Sequence, residues 1–220
     1  MSQLSRNASK SIRLRVYASV LVSAGIWFLV ADPFSHLRPD DVENICSIFE
    51  ERPGWYDAAK KSEARWGTPK HVQMSIIRQE SSFIFNARPP RRKLMGFIPW
   101  KRPSNAYGFA QALDGTWDRY LKETGKESAD RDDFEDAIDF VGWYTNMSNK
   151  SAGISKWDPY NQYLAYHEGQ SGWVRKTFEQ KAWLKGKARR VDHRAREWWG
   201  QLQNCEEDLN APWWQLVRRQ

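Results

Sequence analysis

In the stretch "HVQMSIIRQESSF", residues 71–83, a carboxylate, Glu80, follows Val72 and Ile76 at intervals of four. Helical residues spaced by four lie in one row, so Glu80 extends an apolar row, with Met74, Ile77 and Ser81 in the row beside it. A carboxyl against an apolar wall has its ionised form disfavoured, which raises its pKa and lets it keep a proton near neutral pH. That is the condition for a general acid able to protonate a glycosidic oxygen. The end of a helix disfavours negative charge too, but does so for any glutamate there. By position alone, a glutamate in the last turn of a helix is usually a solvated surface residue, and that is the alternative reading. A second acidic stretch, "ADRDDFEDAIDF" (129–140), lacks the glycine and the alternating oxygen ligands of a calcium loop and reads as an acidic helix start. Cys46 and Cys205 show no metal-ligand spacing, so no metal site is expected.

The elements that must position Glu80 read as helices. "DDVENICSIFEE" has acidic residues near its start and Val42, Ile45 and Phe49 at helical spacing, with Pro53 as a stop. "GWYDAAKKSEARWG" is a second helix closed by Gly67. Thr68 and Pro69 then supply an N-cap and a first helical residue for the helix that carries Glu80. From Asn86 to Asn105, four prolines and six basic residues break the pattern. The apolar "LMGFIPW" inside that segment suits a short hairpin or a clamp over a cleft. Helices resume in "ADRDDFEDAIDFVGWYTNMSNK", in "NQYLAYHEG", and in the basic "KAWLKGKARRVDHRAREWWGQLQNCEEDL". No strand alternation of useful length and no internal repeat appears.

A chain of 220 residues suits one domain with a core large enough to fold unaided. Its 34 basic and 27 acidic residues give a net charge of +7, which favours an anionic partner: nucleic acid, acidic lipid or bacterial cell wall. The 13 Trp and 8 Tyr serve a core and can stack on planar or sugar-ring ligands. Residues 1–35 stand apart. A basic lead, "KSIRLR", precedes the uncharged run 16–31, the pattern of a signal peptide or short inner-membrane anchor, with a buried core helix as the alternative. Export to an oxidising compartment leaves one pairing for the two cysteines, a Cys46–Cys205 disulfide between the ends of the domain; two unrelated buried thiols are the alternative. An exported chain seldom meets nucleic acid, so wall polymer or phospholipid suits the basic C-terminal helix better.

The segments "QESSF" (79–83), "AYGFAQ" (106–111) and "LAYHEG" (164–169), in that order, resemble the three motifs of soluble-type lytic transglycosylases. The resemblance covers roughly residues 54–180. It implies an all-helical domain of the lysozyme-like (α+β) superfamily, here over residues 36–220, acting as a monomer on peptidoglycan strands in the periplasm without a cofactor. By the same resemblance Glu80 is the single catalytic acid and base. Ser81 matches a hydrogen-bonding serine, with a helix-end cap as its alternative role. Gln111 matches a glutamine bordering the sugar, Tyr107 extends that motif and Gly108 allows close backbone approach, with a buried turn into a helix as the alternative; Tyr166 matches a tyrosine of the cleft, with a buried core tyrosine as the alternative.

The chain also departs from the family pattern. His167 and Glu168 replace the usual Asn and Ala of the third motif, so Glu168 is either a second cleft carboxylate or a surface or cap residue. Asp133 and Asp136 are further candidates for a second carboxylate in a hydrolytic enzyme. The segment between the first two motifs is longer than usual, offering Trp100 for stacking on a sugar and Arg91, Arg92, Lys93, Lys101 and Arg102 for anionic wall peptides. A packed surface loop is the alternative there. Three activities follow as expectations: non-hydrolytic cleavage with an anhydro product, hydrolysis as by a muramidase, or wall binding without turnover.

Overall fold

The computed structural model describes residues 38–91, 93–95 and 98–211, the strand residues 93, 94, 98 and 99 by their backbone only. The expected signal or anchor at 1–35 and the end of the chain from 212 lie outside the described residues. Among the described residues the chain forms eight helices and one two-stranded hairpin, so the all-helical expectation holds. No helix among them is long and apolar enough to cross a membrane.

Helix α1 (Ile45–Glu51) starts where the Asn44 side chain accepts from the amides of Cys46 and Ser47. The acidic residues expected in its first turn, Asp40, Asp41 and Glu43, instead precede it. Pro53 opens α2 (Pro53–Trp66), and Gly67 closes it in the left-handed region. Helix α3 (Lys70–Ser81) follows after Pro69. Thr68 does not cap it. Its buried hydroxyl meets that of Thr145 at 2.8 Å, because α5 (Phe134–Ala152) passes close enough to offer a better partner.

The segment after α3 contains the expected short hairpin, β1 (Lys93–Leu94) antiparallel to β2 (Ile98–Pro99). Helix α4 (Asp114–Thr124) has no counterpart in the sequence expectation. It buries only Trp117 and Tyr120, and Gly115 in its first turn weakens the local helical signal. Helix α5 starts at Asp133, whose side chain accepts from the Asp136 amide. Helix α6 (Pro159–Glu168) starts at Asp158, which accepts from the Asn161 amide, and the short α7 (Gln170–Val174) follows.

The last helix, α8 (Ala182–Asn210), is about 43 Å long and packs against α1, α3 and α6. Its buried residues Leu184, Ala188, Val191, Ala195, Trp198 and Leu202 recur at alternating steps of four and three, one apolar stripe that leaves the basic residues on the other faces. The Cys46–Cys205 disulfide joins α1 to α8 across 159 residues of sequence. On the other side, Asp139 of α5 is buried and fully partnered. It accepts from Tyr120 (2.7 Å), the Trp66 indole (2.8 Å) and Arg65 (2.9 Å), tying α2 and α4 to α5. Aromatic rings fill the centre, with Trp55 stacked on Phe134 at 4.0 Å. The helix bearing Glu80 is thus held between α5, α6 and α8.

Candidate active site

Val72 and Ile76 are fully buried, and Glu80, next in their row, is half-buried at the end of α3. The chain then turns sharply. Ser82 (φ 55°) and Phe83 (φ 62°) both occupy the left-handed region, which costs about 1 kcal/mol or more each for residues with a Cβ. The surroundings hold the turn in place. The Ser81 hydroxyl donates to the Ile77 carbonyl (3.3 Å) and accepts from the Phe83 amide (3.1 Å). Arg78 donates to the Ser82 hydroxyl (2.7 Å), and the Phe83 ring packs on Trp55 and Trp198. The buried Ser81 is therefore engaged at the helix end, the second of the two roles expected of it.

The Glu80 carboxyl has its pKa raised from the ordinary 4.5, because burial outweighs the opposing pull of the Tyr163 hydroxyl and the Lys187 ammonium. Tyr163, on α6, is fully buried and its hydroxyl lies against Glu80 without a well-formed hydrogen bond. Burial first, and then the Glu80 charge, drives that hydroxyl's pKa far up, so it stays protonated and available as a donor. Tyr166, one helical turn further along, donates to the Ala110 carbonyl at 2.6 Å. Its pKa is likewise raised by burial, with Glu80 the next largest influence.

The third component is the turn 106–112. Gly108 (φ 77°) fits only as glycine: a Cβ there would lie 1.9 Å from the Arg131 carbonyl oxygen. Its amide donates to the Ala87 carbonyl at 3.0 Å, and the Phe109 amide donates to the Arg131 carbonyl at 3.2 Å. Gln111 (φ 50°) directs its side-chain nitrogen to the carbonyls of Ala87 (2.8 Å) and Gly108 (2.9 Å). That nitrogen ties the loop leaving Glu80 to this turn, and Ala110, beside Gln111, is the anchor of Tyr166. The second motif is thus joined to the third through Ala110 and Tyr166, and the third to the first through the influence of the Glu80 charge on Tyr166.

Other expected residues lie elsewhere. Tyr107 donates to Asp132 (2.6 Å) and its ring is covered by the Arg88 guanidinium at 4.1 Å, so it braces the turn. Trp100 is exposed beyond the hairpin, and nothing among the described residues links it to Glu80. Arg102 donates to the Pro89 carbonyl, closing the base of the hairpin segment. Arg91 and Lys101 are exposed, and Arg92 and the Lys93 side chain lie outside the description.

Glu168 is the clearest case of a carboxylate with a structural task. It accepts from Lys181 with both oxygens (2.8 Å each), from the Thr177 hydroxyl and from His167 (3.1 Å). Burial acts to raise its pKa, but those hydrogen bonds prevail and bring it down to about 2. It clamps the end of α6 to the approach of α8. Asp133 caps α5, and Asp136 accepts from the Asp130 amide (3.0 Å) and faces Lys126 at 3.4 Å.

Sequence reasoning missed Tyr163 and Lys187. The three-residue spacing of Tyr163 and Tyr166 on one helix was the available signal, since it puts both on one face. Lys187 carried none, because only the packing of α8 against α3 brings it near.

A helical domain that presents a half-buried glutamate of raised pKa at a helix end, faced by tyrosines from a second helix, is of the lysozyme-like kind. The model of the transglycosylase SLT domain family matches residues 18–205, and the chain belongs to that family. The match begins inside the expected N-terminal segment. No curated protein and no solved structure matches the chain.

Proposed function

We propose that this protein cleaves the β-1,4 bond between N-acetylmuramic acid and N-acetylglucosamine in peptidoglycan without consuming water. Protonated Glu80 gives its proton to the glycosidic oxygen as the bond to the muramic C1 breaks, and the substrate's acetamido oxygen supports the carbon that loses it. The Glu80 carboxylate then takes the proton of the muramic 6-hydroxyl. That oxygen bonds to C1, closing a 1,6-anhydro ring and returning the protonated acid. Tyr163 supplies a hydroxyl beside the reacting carboxyl, Tyr166 holds the 106–112 turn through the Ala110 carbonyl, and the chain acts as a monomer at the periplasmic face of the inner membrane.

The observation that carries this reading is a glutamate of raised pKa at the end of α3 whose candidate companions are hydrogen-bonded elsewhere; burial raises the Asp133 pKa as well, but that carboxylate is committed to capping α5. A water-activating second carboxylate is what hydrolysis ordinarily requires. Glu168, Asp133 and Asp136 are bound to a lysine and to backbone amides instead. The test is digestion of purified sacculi followed by mass spectrometry of the released sugar ends. Wild type is expected to release anhydro ends, and Glu80→Gln to lose about a hundredfold or more in rate. Reducing ends from wild type would replace the proposal with hydrolysis, and equal activity in Glu80→Gln would remove Glu80 from it.

A further inference from the structure

At the opposite end of α3 from Glu80 lies a recess that takes no part in the chemistry above. His71, almost fully buried, forms its floor between two indoles, with ring centroids 5.6 Å from Trp157 and 5.3 Å from Trp199. The two indoles meet edge to face at 5.6 Å and 82°, making an aromatic corner. Trp157 is 60% exposed and Trp199 45%. Leaving two adjoining indoles this open to water is unfavourable, and such surface commonly marks a binding site. The recess has a volume of about 390 Å³, within the range of small-ligand sites.

The rim discriminates between ligand chemistries. Asp192 and Arg196 pair with each other at 2.9 Å, and Asp158 accepts from the Asn161 amide (3.0 Å) and side chain (2.7 Å). Burial first, and then the nearby Lys70 charge, lowers the His71 pKa to about 4, so the imidazole is neutral at pH 7. An anion entering here meets two carboxylates, and a cation meets Arg196. A neutral ligand with one flat C–H face and a margin of hydroxyl and amide groups uses the whole site. Its face covers an indole, its hydroxyls donate to the carboxylates, and its carbonyl accepts from the guanidinium. We propose that this recess is a second glycan-holding site, taking one neutral N-acetylhexosamine unit about 13 Å along α3 from Glu80. The choice of polymer rests on the function proposed above; the chemistry of the recess does not.

The test uses the full chain carrying Glu80→Gln, so that no substrate is turned over. The probe is a peptide-free tetramer of β-1,4-linked N-acetylglucosamine. The indole N–H resonances of Trp157 and Trp199 are identified with Trp157→Phe and Trp199→Phe, and both are expected to move as the tetramer is added. In the same background, Trp157→Ala with Trp199→Ala is expected to weaken retention on sacculi roughly tenfold, the effect of losing hot-spot aromatic anchors. Asp192→Asn keeps both indoles and is expected to weaken retention less, which maintains the test if the double variant misfolds. Resonances that stay in place while the tetramer moves other indoles would overturn the proposal, as would movement with a sugar-free wall peptide alone. Because binding is the readout, failure of the Glu80 chemistry would appear separately, as wild type that shifts these resonances but releases no muropeptides.

Discussion

On the function proposed for it, Glu80 sets stability against activity. Its pKa is raised on folding, so below the ordinary value of 4.5 the group is neutral in both states and adds no pH-dependent penalty. As pH rises from 4.5 through the raised folded value, the unfolded chain ionises first and stability declines, levelling off once both states are charged. Glu80→Gln removes that decline. The variant should therefore be inactive yet more stable than wild type at neutral pH, with the difference vanishing near pH 4 in urea titrations run across the range. Tyr163 belongs to the same balance, because its hydroxyl favours the ionised carboxyl. Tyr163→Phe should move the alkaline limb of kcat/KM to higher pH. It should also lower kcat by about 10- to 100-fold, the value of one hydrogen bond to a developing charge. An unmoved limb would mean that Tyr163 only fills space.

At the level of elements, the site depends on two tight turns at the ends of otherwise ordinary helices. One is the left-handed pair Ser82–Phe83, held by Ser81, Arg78 and aromatic packing. The other is the 106–112 turn, where Gly108 has no room for a Cβ against the Arg131 carbonyl. Gly108→Ala should destabilise the protein by about 2–4 kcal/mol, since both the positive φ and the clash oppose the methyl group. Loss of activity at temperatures where the variant remains folded should follow too, because this turn anchors Tyr166 through Ala110. Denaturant midpoints and assays on the folded fraction separate the two effects. The Glu168 clamp works at the same scale. It sets where α6 meets the approach to α8, and so helps place Tyr163 and Tyr166 opposite Glu80.

For the whole molecule, α8 is the organising element, since it touches α1, α3 and α6 and is covalently joined to the first of them. The disulfide restricts a very long loop of the unfolded chain, a constraint worth about 2–5 kcal/mol. Reduction, or Cys46→Ser with Cys205→Ser, should lower the denaturation midpoint by that amount. The kcat of the folded protein should change little, because Glu206, next to Cys205, pairs with Lys70 at the start of α3, whereas Glu80 sits at the other end of that helix near Lys187. A midpoint that does not move would show that helix packing alone holds the two ends together. The net charge of +7 also acts at this scale, as a general attraction to an anionic polymer; it does not assign any one contact.

The amino-acid sequence by itself determined the helical class, the family motifs, the glutamate at the end of an apolar row and the only pairing open to two cysteines. Each of these is written in local periodicity or in a count, which a linear chain displays directly. The partners of Glu168, Ser81, Thr68 and Tyr163 were decided by tertiary structure alone. A carboxylate becomes a clamp or an acid according to which distant groups arrive within about 3 Å of it. Lys181, Thr177 and His167 hydrogen bond to Glu168, whereas Glu80 is dominated by burial, with the Tyr163 hydroxyl and the Lys187 charge only partly opposing it. The aromatic recess at His71 is equally tertiary, because Trp157 and Trp199 come together only where the start of α6 and the middle of α8 converge on the start of α3.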